Sequence, residues 1–397
     1  MKGREQVNLT ERVCAPSKRP PGKRILCYSE AWGQGGIETF LMNLFRRLQG
    51  KGFAFTVFST WDWNIKLDDE LESLGIDRWT RFPDQKPGQI IRLKEGSSAF
   101  GKLIERTSCD AVYVNTMNGM GFLWSEEAKR RGVPVRIVHS HNSSFSSGEA
   151  VAKAIGHGLG RSILGGSATV RLAVSEDAGK YLFGSQPFEV VNNGIDTDRF
   201  RFDATARRQV RAQYGIPQDA LLFGSVGRIA EAKNPSFQLR VFAEILKRDP
   251  AAFYLLVGDG DLRDQTKELA IELGINNRII MPGYTTDPAG IYSALDCFLM
   301  PSLHEGLAFV CIESQCSGCP IVCSEALPRE SRITDAEIQL SLSEGETVWA
   351  EQALSLAQAS HDRAHYIDEV INAGFDANTT AGRLAQILGF ECSKGCH

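Results

Sequence analysis

Apolar residues along this chain fall into short continuous runs, separated by stretches in which they recur every three or four positions. From Arg24 the order is RILCYS, IETFLMNLFRRLQ, FAFTVFS, QIIRLKEGSSAFGKLIER, AVYVNT, GFLWSEEAKRRG, VRIVHS, AVAKAIGHGLGRSIL, TVRLAVS, DAGKYLF and EVVNNG. Short runs bounded by turn residues read as buried strands and the three-to-four spacing as amphipathic helices, so strand alternates with helix. After a polar, arginine-rich connector, RFRFDATARRQVRAQY, the alternation restarts with LLFGSVG, SFQLRVFAEILKR, FYLLVGDG, LRDQTKELAIELG, RIIMPG, GIYSAL, CFLMPS, AFVCIESQCSG and PIVCSE. The pattern predicts two α/β units, each a doubly wound parallel sheet with helices on both faces and ligands at the carboxyl ends of its strands. Residues 1–23 show Pro, Gly and charge without a hydrophobic period and are expected to form a disordered or loosely attached lead.

Length agrees with this division, since 397 residues suit two or three domains at ~100–200 residues each. Forty-four Lys and Arg against 48 Asp and Glu leave a net charge of −4, so no global basic field exists to hold a nucleic-acid backbone or an anionic bilayer, and nucleic acid is not an expected partner. No run approaches the ~18 apolar residues of a spanning helix, and the N-terminus shows no apolar signal core, which predicts a cytoplasmic chain. Most of the ten cysteines sit in apolar runs, as Cys27 and Cys297 do, and read as reduced core residues. Cys311, Cys316, Cys319 and Cys323 contain one C-x-x-C and could suggest zinc or redox chemistry. With no second C-x-x-C, and with the apolar PIVCSE following directly, small buried residues fit them better.

Three constellations could carry chemistry. Gly35 and Gly36 sit in SEAWGQGGIETF, where a strand turns into a helix. Such a place suits a phosphate, because glycines let the backbone approach and helix-start N–H groups attract anions, although a plain tight turn reads the same way. In GSVGRIAEAKNP, Arg228 and Lys233 follow a strand and could neutralise a diphosphate leaving group, where otherwise they would be merely solvated. In MPSLHEGLAFVCIESQCSG, Glu305 lies in the turn before a helix and Glu313 eight positions on, about two turns later and on nearly the same face. Carboxylates so placed suit sugar or ribose hydroxyls. The strand VRIVHS ends in His139-Ser140-His141, and alternation puts both histidines on one side at the carboxyl edge of the sheet. His361 and His365, at i and i+4, have no third ligand in a motif with them and do not read as a metal site.

GGIETF, VVNNGIDTDRF, VGRIAEAK, LLVGDGDLR and PSLHEGLAFVCIESQCSGCPIV fall in one order over Arg24–Glu330, and in this the chain resembles the family-4 retaining glycosyltransferases with their E-x7-E signature. The resemblance implies the GT-B fold, two Rossmann-like domains facing a central cleft that holds the nucleotide-sugar, with the last helix crossing back to the first domain. Residues 24–195 with 376–397 would form the acceptor-side domain and 196–375 the nucleotide-sugar domain. Carried onto this sequence, Gly35 and Gly36 would line the phosphate-side loop and Arg228 and Lys233 would grip the donor diphosphate. Gly283 and Tyr284 would form the base-binding turn, Glu313 would hold the ribose and Glu305 would contact the transferred sugar. The N–H groups of Gly306, Leu307, Ala308, Phe309 and Val310 would hold sugar hydroxyls and phosphate. A histidine at the end of VRIVHS would touch donor sugar or acceptor, with His139 slightly favoured over His141.

The activity so implied is transfer of a hexosyl unit from a nucleoside diphosphate sugar, UDP being the commoner carrier, to the hydroxyl of a glycan or lipid-linked glycan. Retention at the anomeric carbon, no metal and no other cofactor are expected, in capsule, exopolysaccharide or O-antigen synthesis, with at most peripheral contact with the inner face of the cell membrane. A non-catalytic sugar-nucleotide binder of the same fold is the alternative. A nicotinamide-linked dehydrogenase is disfavoured because VGDGDLR lacks the third glycine of its fingerprint.

Overall fold

The computed structural model describes residues 9–13, 21–33, 35–143, 151–285, 287–305, 309–359 and 362–389. Gly306, Leu307, Ala308 and His361 lie outside the described residues. The chain divides into two compact units, Met1–Gly194 with Ala377–His397, and Ile195–Asp376.

The first unit is built on strands β1 (Thr10–Val13), β2 (Gly22–Trp32), β3 (Gly52–Asp62), β4 (Asp77–Phe82), β5 (Ala111–Thr116), β6 (Val135–Ser140), β7 (Val170–Ala173) and β8 (Glu189–Val190), in the order β1-β4-β3-β2-β5-β6-β7-β8. All neighbours pair in parallel except β1, which runs antiparallel on β4. Residues 10–13 are thus an edge strand, although TERV sits in a stretch that reads as loose lead. Its pairing partner lies far along the chain, and Arg12 is anchored there by its Nε donating to Asp62 at 3.2 Å. The β2 run Ile25–Tyr28 and all of β5 are buried, as befits strands covered on both faces.

The second unit has β9 (Leu222–Val226), β10 (Phe253–Val257), β11 (Ile279–Gly283), β12 (Cys297–Met300), β13 (Ile321–Ser324) and β14 (Glu337–Leu340), all parallel, in the order β11-β10-β9-β12-β13-β14. Alternate residues feed opposite cores: Leu222, Phe298, Met300 and Ile321 join one apolar cluster, and Phe223, Cys297, Leu299 and Val322 the other. Both faces are therefore helix-covered, the doubly wound arrangement that the hydrophobic pattern predicts.

The arginine-rich stretch that reads as a connector is instead part of this unit's packing. Helix Ala204–Gln213 turns Arg211 fully inward, where its guanidinium donates to the carbonyls of Ala294 (3.0 Å) and Ala220 (2.7 Å) and to Asp296 at 2.6 Å. Asp296 also accepts from the N–H of Leu222 at 2.7 Å, so one buried ion pair ties β9 to β12. Composition hides this, because a polar periodic stretch looks solvated until its distant partner is known.

The last helix, Ala377–Leu388, belongs to the first unit and packs on helix Gly36–Leu48. Leu384 and Leu388 are fully buried, and polar ties fix the helix ends, Arg383 to Glu189 at 2.5 Å and Thr380 Oγ1 to the Asn192 carbonyl at 3.1 Å. Ile387, at the same helical spacing in the sequence, is only half-buried. The helix begins at Ala377, so the polar Asn378-Thr379-Thr380 forms its first turn.

Candidate functional site

At the carboxyl edge of the second sheet, three loops lock together through glycines. Gly227 after β9, Gly258 after β10 and Gly283 at the end of β11 have φ values of +149°, +144° and +92°, a region that L side chains avoid. A Cβ on Gly258 would lie 1.8 Å from the Gly227 oxygen, and one on Gly260 2.3 Å from the Ile229 oxygen. The N–H of Gly227 donates to Val257, that of Ile229 to Asp259 and that of Gly258 to Gly283, each at 2.9–3.0 Å. The glycines of VGDG therefore serve backbone approach between loops, which accounts for them without a dinucleotide fingerprint.

These loops frame a pocket of about 330 Å³ that brings together Arg228, Lys233, Val310, Ser225 and Ser302. Arg228 is largely exposed, and its pair with Asp261 at 3.1 Å is a surface contact of small worth that an incoming anion can replace. Lys233 Nζ is paired with Glu305, which is mostly buried. Sequence reading missed Ser302: its side chain is fully buried, and its hydroxyl has no hydrogen-bond partner among the described residues although it lines this pocket. An unsatisfied buried hydroxyl beside two cations is a place for an acceptor oxygen.

Glu313, on helix Phe309–Cys316, is 7 % exposed and accepts from the Tyr292 hydroxyl at 2.7 Å. Burial pushes its pKa up to about 7, against the lowering effects of Tyr292 and Arg199. Glu305 and Glu313 so have different surroundings, Lys233 for one and Tyr292 for the other. Phe309 and Val310 are half-buried against the core. Gly283 closes the β10–β11 loop contact, and Tyr284 beside it is 47 % exposed. Arg263, the last residue of LLVGDGDLR, braces this turn by donating to the carbonyls of Met281 (2.9 Å) and Gly258 (3.2 Å).

In the first unit, an open cleft lies at the carboxyl ends of β2 and β5. Trp61 supplies aromatic surface, Tyr28 and Trp124 being almost fully buried, Gln89, Asn115, Asn118 and Asn142 line it with amides, and Lys86, Glu30 and Arg92 bring charge, Arg92 pairing with Glu30 at 2.6 Å. Gly35 and Gly36 line it at the start of helix Gly36–Leu48, but the anion at this helix start is the protein's own. Glu38 accepts from the Gly35 N–H at 3.1 Å and from Ser29 Oγ at 2.6 Å, and its burial raises its pKa to about 6. A phosphate reaching Gly35 meets that carboxyl, a feature that the glycine pair alone does not reveal.

The structure reverses the preference for His139. Both rings lie on one side of β6 with centroids 4.3 Å apart, yet His139 has no exposed surface, its Nδ1 bonding the Tyr113 hydroxyl at 2.7 Å and its Nε2 having no hydrogen-bond partner among the described residues. Helix residue Phe40 packs edge-on against both rings, its centroid 5.3 Å from each. His141, past the strand end, is half-buried, and its Nε2 lies 3.0 Å from Asn115 Oδ1. Since Asn115 donates through Nδ2 to the Tyr28 carbonyl, its Oδ1 is the acceptor, so His141 carries its proton on Nε2 and presents a bare Nδ1. Burial lowers the His141 pKa to about 3 and keeps the ring neutral.

Cys311, Cys316, Cys319 and Cys323 are buried and unbridged, and Cys311 and Cys323 both donate to the buried carboxylate of Glu337. Burial raises the pKa of each thiol, so all four are protonated core groups. His365 precedes helix Tyr366–Asn372 and pairs with Glu369 at 3.4 Å on the surface. No helix among the described residues is long and apolar enough to cross a membrane.

Two doubly wound units, one with a cationic pocket and one with an aromatic and amide cleft, each at the carboxyl edge of its sheet, define a GT-B glycosyltransferase. The comparisons agree: residues 34–199 match the family described as Glycosyltransferase Family 4, and residues 206–372 match Glycosyl transferases group 1. A protein of Bacillus subtilis named as glycosyltransferase EpsF is 31 % identical over 382 residues, 94 % of this chain and 98 % of that one. The chain belongs to glycosyltransferase family 4. The UDP-Gal:alpha-D-GlcNAc-diphosphoundecaprenol alpha-1,3-galactosyltransferase of Escherichia coli is 25 % identical over 233 residues, 56 % of this chain and 59 % of that enzyme. Among solved structures, Anabaena HepE in complex with UDP and glucose shares the fold, with a TM-score of 0.73 at 19 % identity over 92 % of this chain and 99 % of HepE.

Proposed function

We propose that this glycosyltransferase moves a hexosyl unit from a UDP-sugar to the hydroxyl of a glycan or lipid-diphosphate-linked glycan in polysaccharide assembly, with retention and without a metal. The observation that carries the reading is the pocket lined by Arg228, Lys233 and the unpartnered Ser302, with Glu305 paired to Lys233. HepE is solved with UDP and glucose, and the Escherichia coli relative is named for a UDP-galactose donor and a diphosphate-linked lipid acceptor, which supports a UDP-sugar and a carrier of this kind.

In this reading the diphosphate takes Arg228 from Asp261 and Lys233 from Glu305, and the Ser302 hydroxyl donates to a phosphate oxygen. Glu305, released from its lysine, accepts hydrogen bonds from the sugar. Glu313 and Tyr292 hold the ribose. The bond from the anomeric carbon to the diphosphate oxygen breaks as the acceptor oxygen bonds that carbon on the same face, and the acceptor proton passes to the departing phosphate. The two cations then carry the leaving-group charge that a metal carries elsewhere. In the first unit's cleft, Trp61 suits the apolar face of an acceptor sugar ring, and Lys86, with Arg92 once it leaves Glu30, suits its phosphates.

A panel of nucleotide-sugars, scored by nucleoside diphosphate release with and without chelator, tests this. Release from one UDP-sugar, undiminished by EDTA, is the expected outcome. Loss on chelation with recovery in magnesium or manganese would contradict the metal-free leaving group, and UDP binding with no release from any donor would favour a non-catalytic binder.

A further inference from the structure

Arg363 lies in the HDRAH stretch, between the two histidines that do not read as a metal site. A guanidinium has five N–H donors, and here all five are used. Nε donates to the Ser317 carbonyl at 3.0 Å, one terminal nitrogen to the carbonyls of Ser293 (3.3 Å) and Leu295 (2.9 Å), and the other to the Tyr292 carbonyl (2.8 Å) and Ser317 Oγ (3.1 Å). Every acceptor is a neutral oxygen. The planar group also lies over Phe202, 4.5 Å from the ring centroid.

These acceptors belong to two helix ends. Tyr292 and Ser293 are in the last turn of helix Ala289–Ala294, and Ser317 follows helix Phe309–Cys316 directly. Carbonyls at a helix end have no partner inside their own helix and carry the negative end of its dipole, so a cation with directed donors suits both ends at once. The fit is close: Gly318, the next residue, has a φ of +59°, and a Cβ on it would lie 2.7 Å from Arg363 Cα. Arg207 and Arg211 reach the first of these helix ends through the Ala294 carbonyl and pair with Asp296, whereas Arg363 spans both helices.

The same two helices meet again where Tyr292, fully buried, donates its hydroxyl to Glu313 at 2.7 Å. Tyr292 is thus held at both ends, its carbonyl by Arg363 and its hydroxyl by Glu313. A slide of the helices by ~1 Å would carry the hydroxyl beyond hydrogen-bond reach of the carboxylate. A group that must meet a ligand in one geometry needs its supporting elements fixed in this way.

We propose that Arg363 is a positioning residue for the nucleotide: by stapling the carboxyl ends of the two helices it fixes the Tyr292–Glu313 pair, and through that pair the carboxylate that holds the ribose. Arg363 itself does not touch the nucleotide. The staple stands on geometry within the second unit, while its effect on the ribose rests on the role of Glu313 proposed above.

Titration calorimetry of the full chain with UDP, and with the dideoxy analogue that lacks both ribose hydroxyls, tests the proposal. Wild type should prefer UDP roughly ten-fold, as hydrogen bonds to a carboxylate warrant. Arg363→Lys keeps the charge but loses the planar fork, and should weaken UDP binding roughly five-fold while leaving the analogue within about two-fold of wild type. A general loosening of the fold would instead lower both alike. In a Glu313→Gln background the same substitution should weaken UDP binding by less than about two-fold, because the group it acts through is already gone. If Arg363→Lys melts below the assay temperature, Ser317→Ala, which removes one acceptor only, should still narrow the preference roughly two-fold. Variants that keep the wild-type preference, equal weakening of both nucleotides, or effects that add fully to those of Glu313→Gln would overturn the proposal. Equal affinity of wild type for both nucleotides would remove the ribose role of Glu313 and the proposal with it, so the two failures are distinguishable.

Discussion

Glu313 is ionised with difficulty, because burial moves its pKa from the ordinary 4.5 up to about 7. An acid whose pKa is higher in the folded state binds more protons folded than unfolded, so it removes stability as pH rises through that interval. Glu313→Gln should therefore melt above wild type at about pH 8, by on the order of 2 kcal/mol, with a gap that shrinks near pH 5. It should also bind UDP roughly ten-fold more weakly for want of a carboxylate on the ribose. A melting difference that is the same at both pH values would show that ionisation is not its origin. The two histidines separate in another way. His141→Ala should cut turnover roughly ten-fold with little loss of Tm, whereas His139→Ala, which empties a buried ring site, should lower Tm by several degrees. Calorimetry of both variants, set beside their rates, checks the assignment. Strand alternation made the shared side of these histidines legible in the sequence, but not which ring is fully buried. Glu38 went unread although its spacing from Gly35 is that of a capping box, because its partner Ser29 is brought to it only when the helix start folds back on β2.

At the scale of elements, the continuous apolar runs located the strands because strands covered on both faces need no polar positions. RILCYS, AVYVNT and CFLMPS are the clear cases. Helix Ala204–Gln213 and β1 were missed because their stability comes from distant partners, Asp296 for Arg211 and β4 for TERV. The glycine-locked loops are a further element with a testable role. Gly258→Ala would force a Cβ against the Gly227 carbonyl at a φ that suits only glycine. The loop bearing Arg228 should shift in response, weakening UDP binding by ten-fold or more and costing roughly 1–3 kcal/mol of stability. Titration calorimetry and thermal melts of this variant check both effects, and unaltered UDP affinity would mean that the loop contact does not position Arg228.

For the whole molecule, the chain leaves its first unit after Gly194 and returns to it at Ala377, so the last helix is structural to a unit that begins hundreds of residues earlier. Leu384→Ala, at a fully buried position against that unit, should lower stability by about 2–5 kcal/mol, and a melt unchanged from wild type would show the tail to be an appendage. The GT-B class itself was legible from five ordered motifs. The partners that give Glu305 and Glu313 distinct surroundings were not, because Lys233 and Tyr292 are brought to them only by the sheet. The central claim, a cationic pocket that binds the nucleotide and a separate carboxylate that acts on the sugar, is tested most directly by Glu305→Gln, with UDP affinity and donor turnover measured on the same preparation. The account predicts UDP binding within roughly three-fold of wild type and turnover reduced about 100-fold or more, a barrier increase of about 2.7 kcal/mol. Turnover above about a tenth of wild type, or a parallel collapse of UDP binding, would contradict it.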